Sequence, residues 1–224
     1  MFEVLKNNMS ADNYAAFIND YELLYHNKLC GQYKKLHSFK KKANIFAKSI
    51  FDKLQDKYNY LDYKQIVRND TQVHALLQSL LLSDKGIYAA FIVELHYTTE
   101  IYLSFMVEYV LKQELKENNI KIVSSNYLDV IKKIDVVMND KPIQIKNYSF
   151  ISCNELTTDR LNEYKNIEGI HFIFYSLEKD NIYFSEIDNK ILVPFTDLDD
   201  FTACLGKKNI TLKEIIKRVK AAAS

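Results

Sequence analysis

Three polar side chains stand within or beside two short apolar runs, at positions that an ordinary buried strand avoids. Asp135 precedes the first run, and Gln144 and Lys146 alternate with isoleucines in the second. Strand side chains change face at every residue, so Gln144 and Lys146 must share one face. If the first run forms an adjacent antiparallel strand, Asp135 lies beside them. A carboxylate, an amide oxygen and an ammonium group would then converge, as needed to hold a divalent cation and a water molecule next to a phosphodiester.

The predicted elements around these residues change from helical to extended near residue 118. Apolar residues recur at helical spacing up to Leu115, with Glu108 as the single charge between Phe105 and Leu111. A strand at 120–123 follows, then two strands around the turn at 139–141. The later predicted elements are a helix at 154–166, a buried aromatic strand at 171–175, shorter strands at 182–186 and 191–193, and helices at 197–205 and 212–220.

The chain up to residue 118 is predicted to be mostly helical, and its first part is locally basic. Residues 31–57 contain eight lysines and two aspartates. This excess is either a solvated helix face or a patch that follows nucleic-acid phosphates. The phosphate-binding candidates are Lys34, Lys35, Lys40, Lys41, Lys42 and Lys48. A domain boundary near residue 85 separates a helical region at 1–85, which would bind DNA or dimerise, from an α/β core with C-terminal helices at 86–224.

Composition indicates a folded protein rather than a disordered one. Of the 224 residues, 48% are hydrophobic and 26% are charged. A net charge of +1 excludes a globally basic protein but allows a local basic face. The three cysteines are widely separated and form no Cys-x-x-Cys pair, which favours a reducing compartment. Neither a basic leader nor an apolar stretch of about 18 residues is present, so we expect a soluble, cytoplasmic protein.

Several kinds of chemistry have no starting point in this sequence. The four glycines, at 31, 86, 169 and 206, are too dispersed for a phosphate-cradling glycine-rich loop. The five histidines include no pair spaced three or four residues apart, which argues against a zinc hydrolase. No nucleophile-elbow motif is present, and nothing indicates a catalytic triad. We therefore expect no nucleotide cofactor.

The order helix, strand, strand, strand, helix, strand, with Glu108, Asp135, Gln144 and Lys146 in place, resembles the PD-(D/E)xK superfamily of restriction-endonuclease-like nucleases. The resemblance covers about residues 100–176. In that superfamily an Asp opens the second strand, and an acidic residue, x and Lys lie on the third. Here Gln144 occupies the acidic position, which is similar to the Gln-x-Lys version in Mrr-like restriction enzymes and some transposon end-cutting nucleases.

This resemblance implies an α/β (α+β) fold in which a mixed central sheet is flanked by helices, with a helical N-terminal extension. It also implies a Mg2+-dependent endonuclease that cuts double-stranded DNA, most specifically a type II restriction endonuclease acting as a homodimer. The Mg2+ would be bound by the Asp135 carboxylate, the Gln144 side-chain oxygen and the Ile145 carbonyl. The helix carboxylate would be Glu108, with Glu100 as second choice.

The remaining residues of the motif have expected roles in the same reaction. Lys146 would orient or help to deprotonate the attacking water, with a pKa lowered by the nearby metal. Asn147, Tyr148 and Ser149, just beyond the strand, are candidates for contacts with the DNA backbone. In-line attack would leave 5′-phosphate and 3′-hydroxyl ends.

Two other interpretations remain open from the sequence. One is a non-catalytic DNA- or protein-binding regulatory protein, in which the helical half binds the partner and the sheet supports it. The other is a different nuclease of the same superfamily: Mrr-like, transposon end-cutting or junction-resolving. A nuclease-fold protein that has lost its activity lies between a nuclease and the regulatory protein. Gln144 keeps that possibility open, because an amide oxygen can bind a cation but brings no charge.

Overall fold

The computed structural model describes residues 1–26, 40–82, 86–125, 127–148, 164–178, 181–198 and 207–223. The chain forms two compact units. The N-terminal unit comprises residues 2–107, and the C-terminal unit comprises residues 108–224 together with Met1. The division lies between Val107 and Glu108, C-terminal of the boundary near residue 85 that the sequence suggested.

The described part of the N-terminal unit is entirely helical outside its turns. Its helices are α1 (Phe2–Asn8), α2 (Ala11–His26), α3 (Lys40–Lys53), α4 (Tyr60–Asn69), α5 (Thr71–Leu81) and α6 (Gly86–Leu95), followed by a π-helical turn (His96–Glu100) and the start of α7 (Ile101–Glu117). The prediction that the chain up to residue 118 is mostly helical is therefore confirmed for the described residues, including 87–93 in α6. No described helix has the length and apolarity that a bilayer crossing requires.

The largest fully buried side chains of the N-terminal unit are aromatic, most of them tyrosines. Tyr60, Tyr63 and Tyr102 are fully buried, and the ring centroids of Tyr60 and Tyr102 lie 5.1 Å apart. The Tyr60 hydroxyl donates to Asp20 Oδ2 at 2.7 Å and lies 3.0 Å from Thr99 Oγ1. Because buried hydroxyl groups need hydrogen-bond partners, these contacts let tyrosines replace purely apolar residues in this core.

The C-terminal unit is built on a seven-stranded mixed sheet. Its strands are β1 (Ile122–Val123), β2 (Val136–Met138), β3 (Lys141–Asn147), β4 (His171–Glu178), β5 (Asn181–Glu186), β6 (Val193–Pro194) and β7 (Lys208–Ile210). The order is β1-β2-β3-β4-β5-β7, with β6 paired to the start of β4. The pair β3–β4 is parallel, and the other pairs are antiparallel. The chain is therefore a mixed α+β protein.

Most predicted elements of this unit lie where the sequence suggested. The strands at 120–123, 171–175, 182–186 and 191–193 correspond to β1, β4, β5 and β6, and the last helix is α8 (Leu212–Ala223). The predicted helix at 154–166 lies largely outside the described residues; its last three form a turn. The predicted helix at 197–205 also lies mostly outside them. Strand β7 was not predicted, because its three residues show no distinctive pattern.

The β2–β3 hairpin fixes the register on which the candidate site depends. Asn139 and Asp140 connect the strands with φ values of 50° and 60°, as a two-residue type I′ turn requires. Val136 pairs with Ile143, and the Asp135 N–H donates to the Ile143 carbonyl at 3.0 Å. Asp135 therefore lies opposite Gln144. A slip of one residue would turn the polar side chains of β3 to the other face of the sheet.

This hairpin register should be sensitive to the residue at position 140. Asp140→Val places a β-branched side chain at positive φ, and we expect it to lower the free energy of unfolding by about 1–2 kcal/mol. Asp140→Gly, which suits this backbone conformation, is the matched control and should be tolerated. Thermal unfolding measures both. Equal stability of the valine variant and the wild type would contradict the turn assignment.

Candidate functional site

Asp135 is the buried carboxylate at the centre of the site. It stands at the head of β2 and is 5% exposed. Its Oδ1 accepts a hydrogen bond from Gln144 Nε2 at 2.8 Å, and its Oδ2 accepts one from the Ile145 N–H at 2.6 Å. The hairpin thus brings Asp135 beside Gln144, as the sequence predicted, and both carboxylate oxygens have partners from β3.

Three carboxylates converge at this position. One oxygen from each of Glu108, Asp129 and Asp135 lies within 4.8 Å of the other two. Glu108 comes from α7, and Asp129 comes from a π-helical turn (Tyr127–Ile131) between β1 and β2. Glu108 also forms an ion pair with Lys112, one helical turn further on. Clustered carboxylate oxygens are the ligands that hard divalent cations such as Mg2+ prefer.

Burial and mutual repulsion make the proton affinity of Asp135 unusual. Burial, together with the nearby Glu108 carboxylate, raises the pKa of its carboxyl group to about 7. Lys146 and the Ile145 N–H act in the opposite direction, because they stabilise the charged form. Asp129 contributes a further small increase. A cation among these carboxylates would relieve the repulsion. Strongly perturbed carboxyl groups of this kind are concentrated at functional sites.

Lys146 brings a cation to the same place. Its side chain is half-buried on β3 and interacts with Tyr164, Asp135 and Glu108. Burial alone would lower the pKa of Lys146, but these three groups together raise it above its ordinary value. The protein's own groups therefore keep Lys146 protonated. The lowered pKa of Lys146 that the sequence suggested is therefore not produced by these neighbouring side chains.

Gln144 turns its amide NH2 group towards Asp135, whereas the prediction had its side-chain oxygen beside Asp135 as a metal ligand. Its Nε2 donates to Asp135, and its Oε1 accepts from the Tyr164 hydroxyl at 3.4 Å. In its ionised form the Asp135 carboxylate can only accept hydrogen bonds, which matches an amide NH2 group that faces Asp135 and an amide oxygen that faces away. The Gln144 oxygen does not join Asp135 in a common ligand set in this arrangement. Asp129 supplies a third carboxylate instead.

The structure places the other predicted ligands differently. Glu100 lies in the π-helical turn of the N-terminal unit, where its Oε2 is 2.6 Å from His96 Nδ1. Of the two helix carboxylates considered, Glu108 is the one that meets Asp135. Ile145 contributes its N–H to Asp135, whereas the prediction concerned its carbonyl.

The predicted DNA contacts are only partly described. Asn147 ends β3, and the Tyr148 N–H donates to the Tyr175 carbonyl at 2.6 Å. The Tyr148 ring lies under Lys207, whose Nζ is 4.5 Å from the ring centroid. A positive charge thus lies just beyond the strand. Ser149 lies outside the described residues.

Little of the predicted basic patch can be located. Lys34 and Lys35 lie outside the described residues, and Lys40, Lys41 and Lys42 are described only as backbone of α3. The Lys48 side chain pairs with Asp52 at 3.5 Å, and its Nζ is 5.3 Å from the centre of the Phe105 ring. These contacts within its own unit are those of a structural lysine. A role in phosphate binding remains a prediction for the group.

Sequence reasoning missed two residues of the site. Asp129 is the single charge in the segment 127–131, a weak signal that could have marked it, but the neighbouring residues suggested only a bend. Tyr164 lies at the end of the predicted helix at 154–166, and nothing in its sequence context pointed to Gln144. Both residues join the site through tertiary folding rather than through strand periodicity.

No protein-family model, curated protein or solved structure matches this chain. Carboxylate oxygens without cysteine or histidine favour Mg2+, Mn2+ or Ca2+ over softer metals. A protonated lysine beside them can stabilise a phosphate or hold a water molecule. Together these groups suit hydrolysis of a phosphate ester.

The raised pKa of Asp135 predicts a pH-dependent stability of the metal-free protein. Between the unfolded pKa near 3.8 and the folded pKa of about 7, the folded state binds a proton that the unfolded state does not. The free energy of unfolding should therefore fall, on the order of 1 kcal/mol or more, as pH rises through this window. Thermal unfolding in EDTA from about pH 5 to about pH 8 measures this dependence.

Asp135→Asn should flatten this pH dependence and be more stable than the wild type at the alkaline end. Asp188→Asn, the same change at an exposed turn of the C-terminal unit, should leave the dependence as in the wild type. Identical pH profiles for the Asp135→Asn variant and the wild type would show that Asp135 does not titrate in this range.

Proposed function

We propose that this protein is a Mg2+-dependent endonuclease that hydrolyses phosphodiester bonds of double-stranded DNA. The observation that carries the proposal is the approach of Glu108, Asp129 and Asp135 to within 4.8 Å of one another, with Lys146 interacting with two of them. A cation-binding carboxylate cluster beside a lysine is suited to activate water next to a charged phosphate. The proposed cofactor is Mg2+, because the candidate ligands are hard oxygen atoms.

The arrangement of elements supports a restriction-endonuclease-like core. Helix α7 carries Glu108 and precedes β1, Asp135 opens β2, and Gln144-Ile145-Lys146 lies on β3 of a mixed sheet. This agrees with the pattern of the PD-(D/E)xK superfamily that the sequence resembles. Within that superfamily we favour a type II restriction endonuclease. A homodimer would present two such sites to opposite strands of the duplex.

The roles of the residues follow from their positions. Asp135, Glu108 and Asp129 would hold Mg2+, which when bound stabilises charge on the scissile phosphate and acidifies a coordinated water molecule. Lys146, kept protonated by its neighbours, would donate a hydrogen bond to that water or to a phosphate oxygen. Asn147 and Tyr148, at the end of β3, would contact the DNA backbone, with Lys207 beside Tyr148.

A non-catalytic DNA- or protein-binding protein is the second candidate. The observation that favours it is Gln144, because a carboxylate usually occupies this position in the superfamily. Such a protein would bind its partner without dependence on metal. The convergence of Asp135 and Lys146 argues against it, since a purely supporting sheet has no need to bury an ionisable pair.

DNA cleavage tests the proposed activity directly. Wild type with Mg2+ should cleave duplex DNA, whereas Asp135→Ala should reduce cleavage to background and Lys146→Ala should slow it by on the order of 100-fold or more. Asp188→Asn is the control and should cleave as wild type does. Discrete bands indicate a restriction enzyme, and selective cutting of branched DNA indicates a junction-resolving nuclease. Equal cleavage by the wild type and all three variants would contradict the proposal.

Metal-induced stabilisation tests the carboxylate set separately from cleavage. A ligand present at about 100 times its Kd stabilises a folded protein by about 2.7 kcal/mol, so Mg2+ or Mn2+ should raise the unfolding temperature of the wild type. Glu108→Gln and Asp129→Asn should each weaken this increase. Glu100→Gln should retain it, because Glu100 pairs with His96 instead. If Mg2+ or Mn2+ raised the unfolding temperature of the Asp129→Asn variant as much as that of the wild type, Asp129 would not be a metal ligand.

A further inference from the structure

Three side chains of the C-terminal unit form a hydrogen-bonded chain through the candidate site. The Tyr164 hydroxyl donates to Gln144 Oε1 at 3.4 Å, and Gln144 Nε2 donates to Asp135 Oδ1 at 2.8 Å. Lys146 interacts electrostatically with Tyr164 and with Asp135, the two ends of this chain.

The direction of this chain is fixed at its Asp135 end when Asp135 is ionised, as it would be with a cation bound. An ionised carboxylate can only accept hydrogen bonds, so Gln144 turns its NH2 group towards Asp135 and its Oε1 towards Tyr164. The Tyr164 O–H then donates to Gln144 Oε1. Gln144 therefore accepts one hydrogen bond and donates the next, and its amide cannot be reversed without breaking both contacts.

The Tyr164 ring is held independently of these hydrogen bonds. It is 4% exposed and belongs to a buried apolar cluster that includes Ile170, Phe172 and Val193. Its ring packs edge-on against Phe172, with centroids 5.3 Å apart and an interplanar angle of 83°. Packing of this kind restricts the side chain to one rotamer, so the hydroxyl is presented at a defined point.

A glutamate at position 144 could not occupy the same place in the chain. Its ionised carboxylate could accept from the Tyr164 hydroxyl, but it could not donate to an ionised Asp135. Two carboxylates would then face each other at about the distance where the amide now forms a hydrogen bond. With Asp135 ionised, only a side chain that both donates and accepts satisfies Tyr164 and Asp135 together. This accounts physically for glutamine at the position where the superfamily usually has an acid.

We propose that Tyr164 is a positioning residue of the site, and that Gln144 acts as the hydrogen-bonded link from Tyr164 to Asp135 rather than as a metal ligand. The inference rests on the proposed function, because the position of Asp135 matters through the cation that it would hold. Residues that orient metal ligands in this way typically change metal affinity or activity by about 10–100-fold when they are altered. Tyr164 should fall in that range although it touches neither the cation nor the substrate.

Tyr164→Phe tests the inference, since it removes the hydroxyl and keeps the ring that packs on Phe172. We expect its affinity for Mn2+, measured by calorimetry, to fall by about 10-fold or more. The Gln144 side-chain NH2 protons should also exchange faster with water in Tyr164→Phe than in the wild type. NMR with 15N-glutamine labelling observes these protons, and their absence in Gln144→Glu assigns them. Tyr183→Phe is the matched control on β5, two strands from β3, and should change neither quantity.

The two readouts separate this inference from the proposed function. Mn2+ binding by the wild type that Tyr164→Phe weakens, together with faster exchange at Gln144, supports the inference even if no DNA is cleaved. Absence of cleavage would then overturn the proposed function alone. Unchanged Mn2+ affinity or an unchanged Gln144 signal in Tyr164→Phe would overturn the inference, even if the wild type cuts DNA. A wild type that binds no Mn2+ would overturn both.

Gln144→Glu gives a second, independent test by cleavage. If Gln144 were a metal ligand, glutamate would preserve the ligand and add charge, so cleavage would be retained or increased. If Gln144 is the link to Asp135, glutamate breaks the hydrogen-bonded chain, and cleavage should fall by about 10-fold or more. Cleavage at or above the wild-type rate would therefore count against the inference.

Discussion

The buried carboxylate of Asp135 is the constraint on which the candidate site depends. An ionisable group that is only 5% exposed is costly unless both oxygens have partners. Strand β3 supplies both, through the Ile145 N–H and the Gln144 amide. These contacts exist only in the register set by the two-residue turn at Asn139 and Asp140. The local geometry of a hairpin thus decides where the chemistry of the site can occur.

The charges around Asp135 favour the binding of a divalent cation, but they lower the stability of the folded protein without one. Burial and the negative charges of Glu108 and Asp129 together raise the pKa of the Asp135 carboxyl group to about 7. Lys146 offsets part of this repulsion but is itself half-buried. A divalent cation would neutralise the cluster more completely than one lysine can. Concentrated charge of this kind is expected where stability is given up for function.

The N-terminal unit shows a different use of polar groups. Its aromatic core also contains a buried carboxylate, Asp20, but Tyr60 and Lys64 satisfy it with direct hydrogen bonds. Glu100 pairs with His96 in the same unit. Asp20 is thus paired by side chains of a second helix, α4, and Glu100 by a side chain of its own π-helical turn. In the C-terminal unit, by contrast, three carboxylates meet one another, which is the feature that separates a candidate site from structural polar contacts.

The sequence by itself determined most of the described elements and one local contact. Helical spacing located α2, α3 and α5, an apolar run located β2, alternation located β3, and strand geometry predicted that Asp135 would meet Gln144. Only the tertiary structure decided that Asp129 and Tyr164 join them, that Glu108 rather than Glu100 is the helix carboxylate, and that the Gln144 amide turns its NH2 group towards Asp135. Periodicity reports which face of an element a residue occupies. The contacts of Asp129 and Tyr164 instead depend on a turn and on packing between segments distant in sequence, which periodicity does not encode.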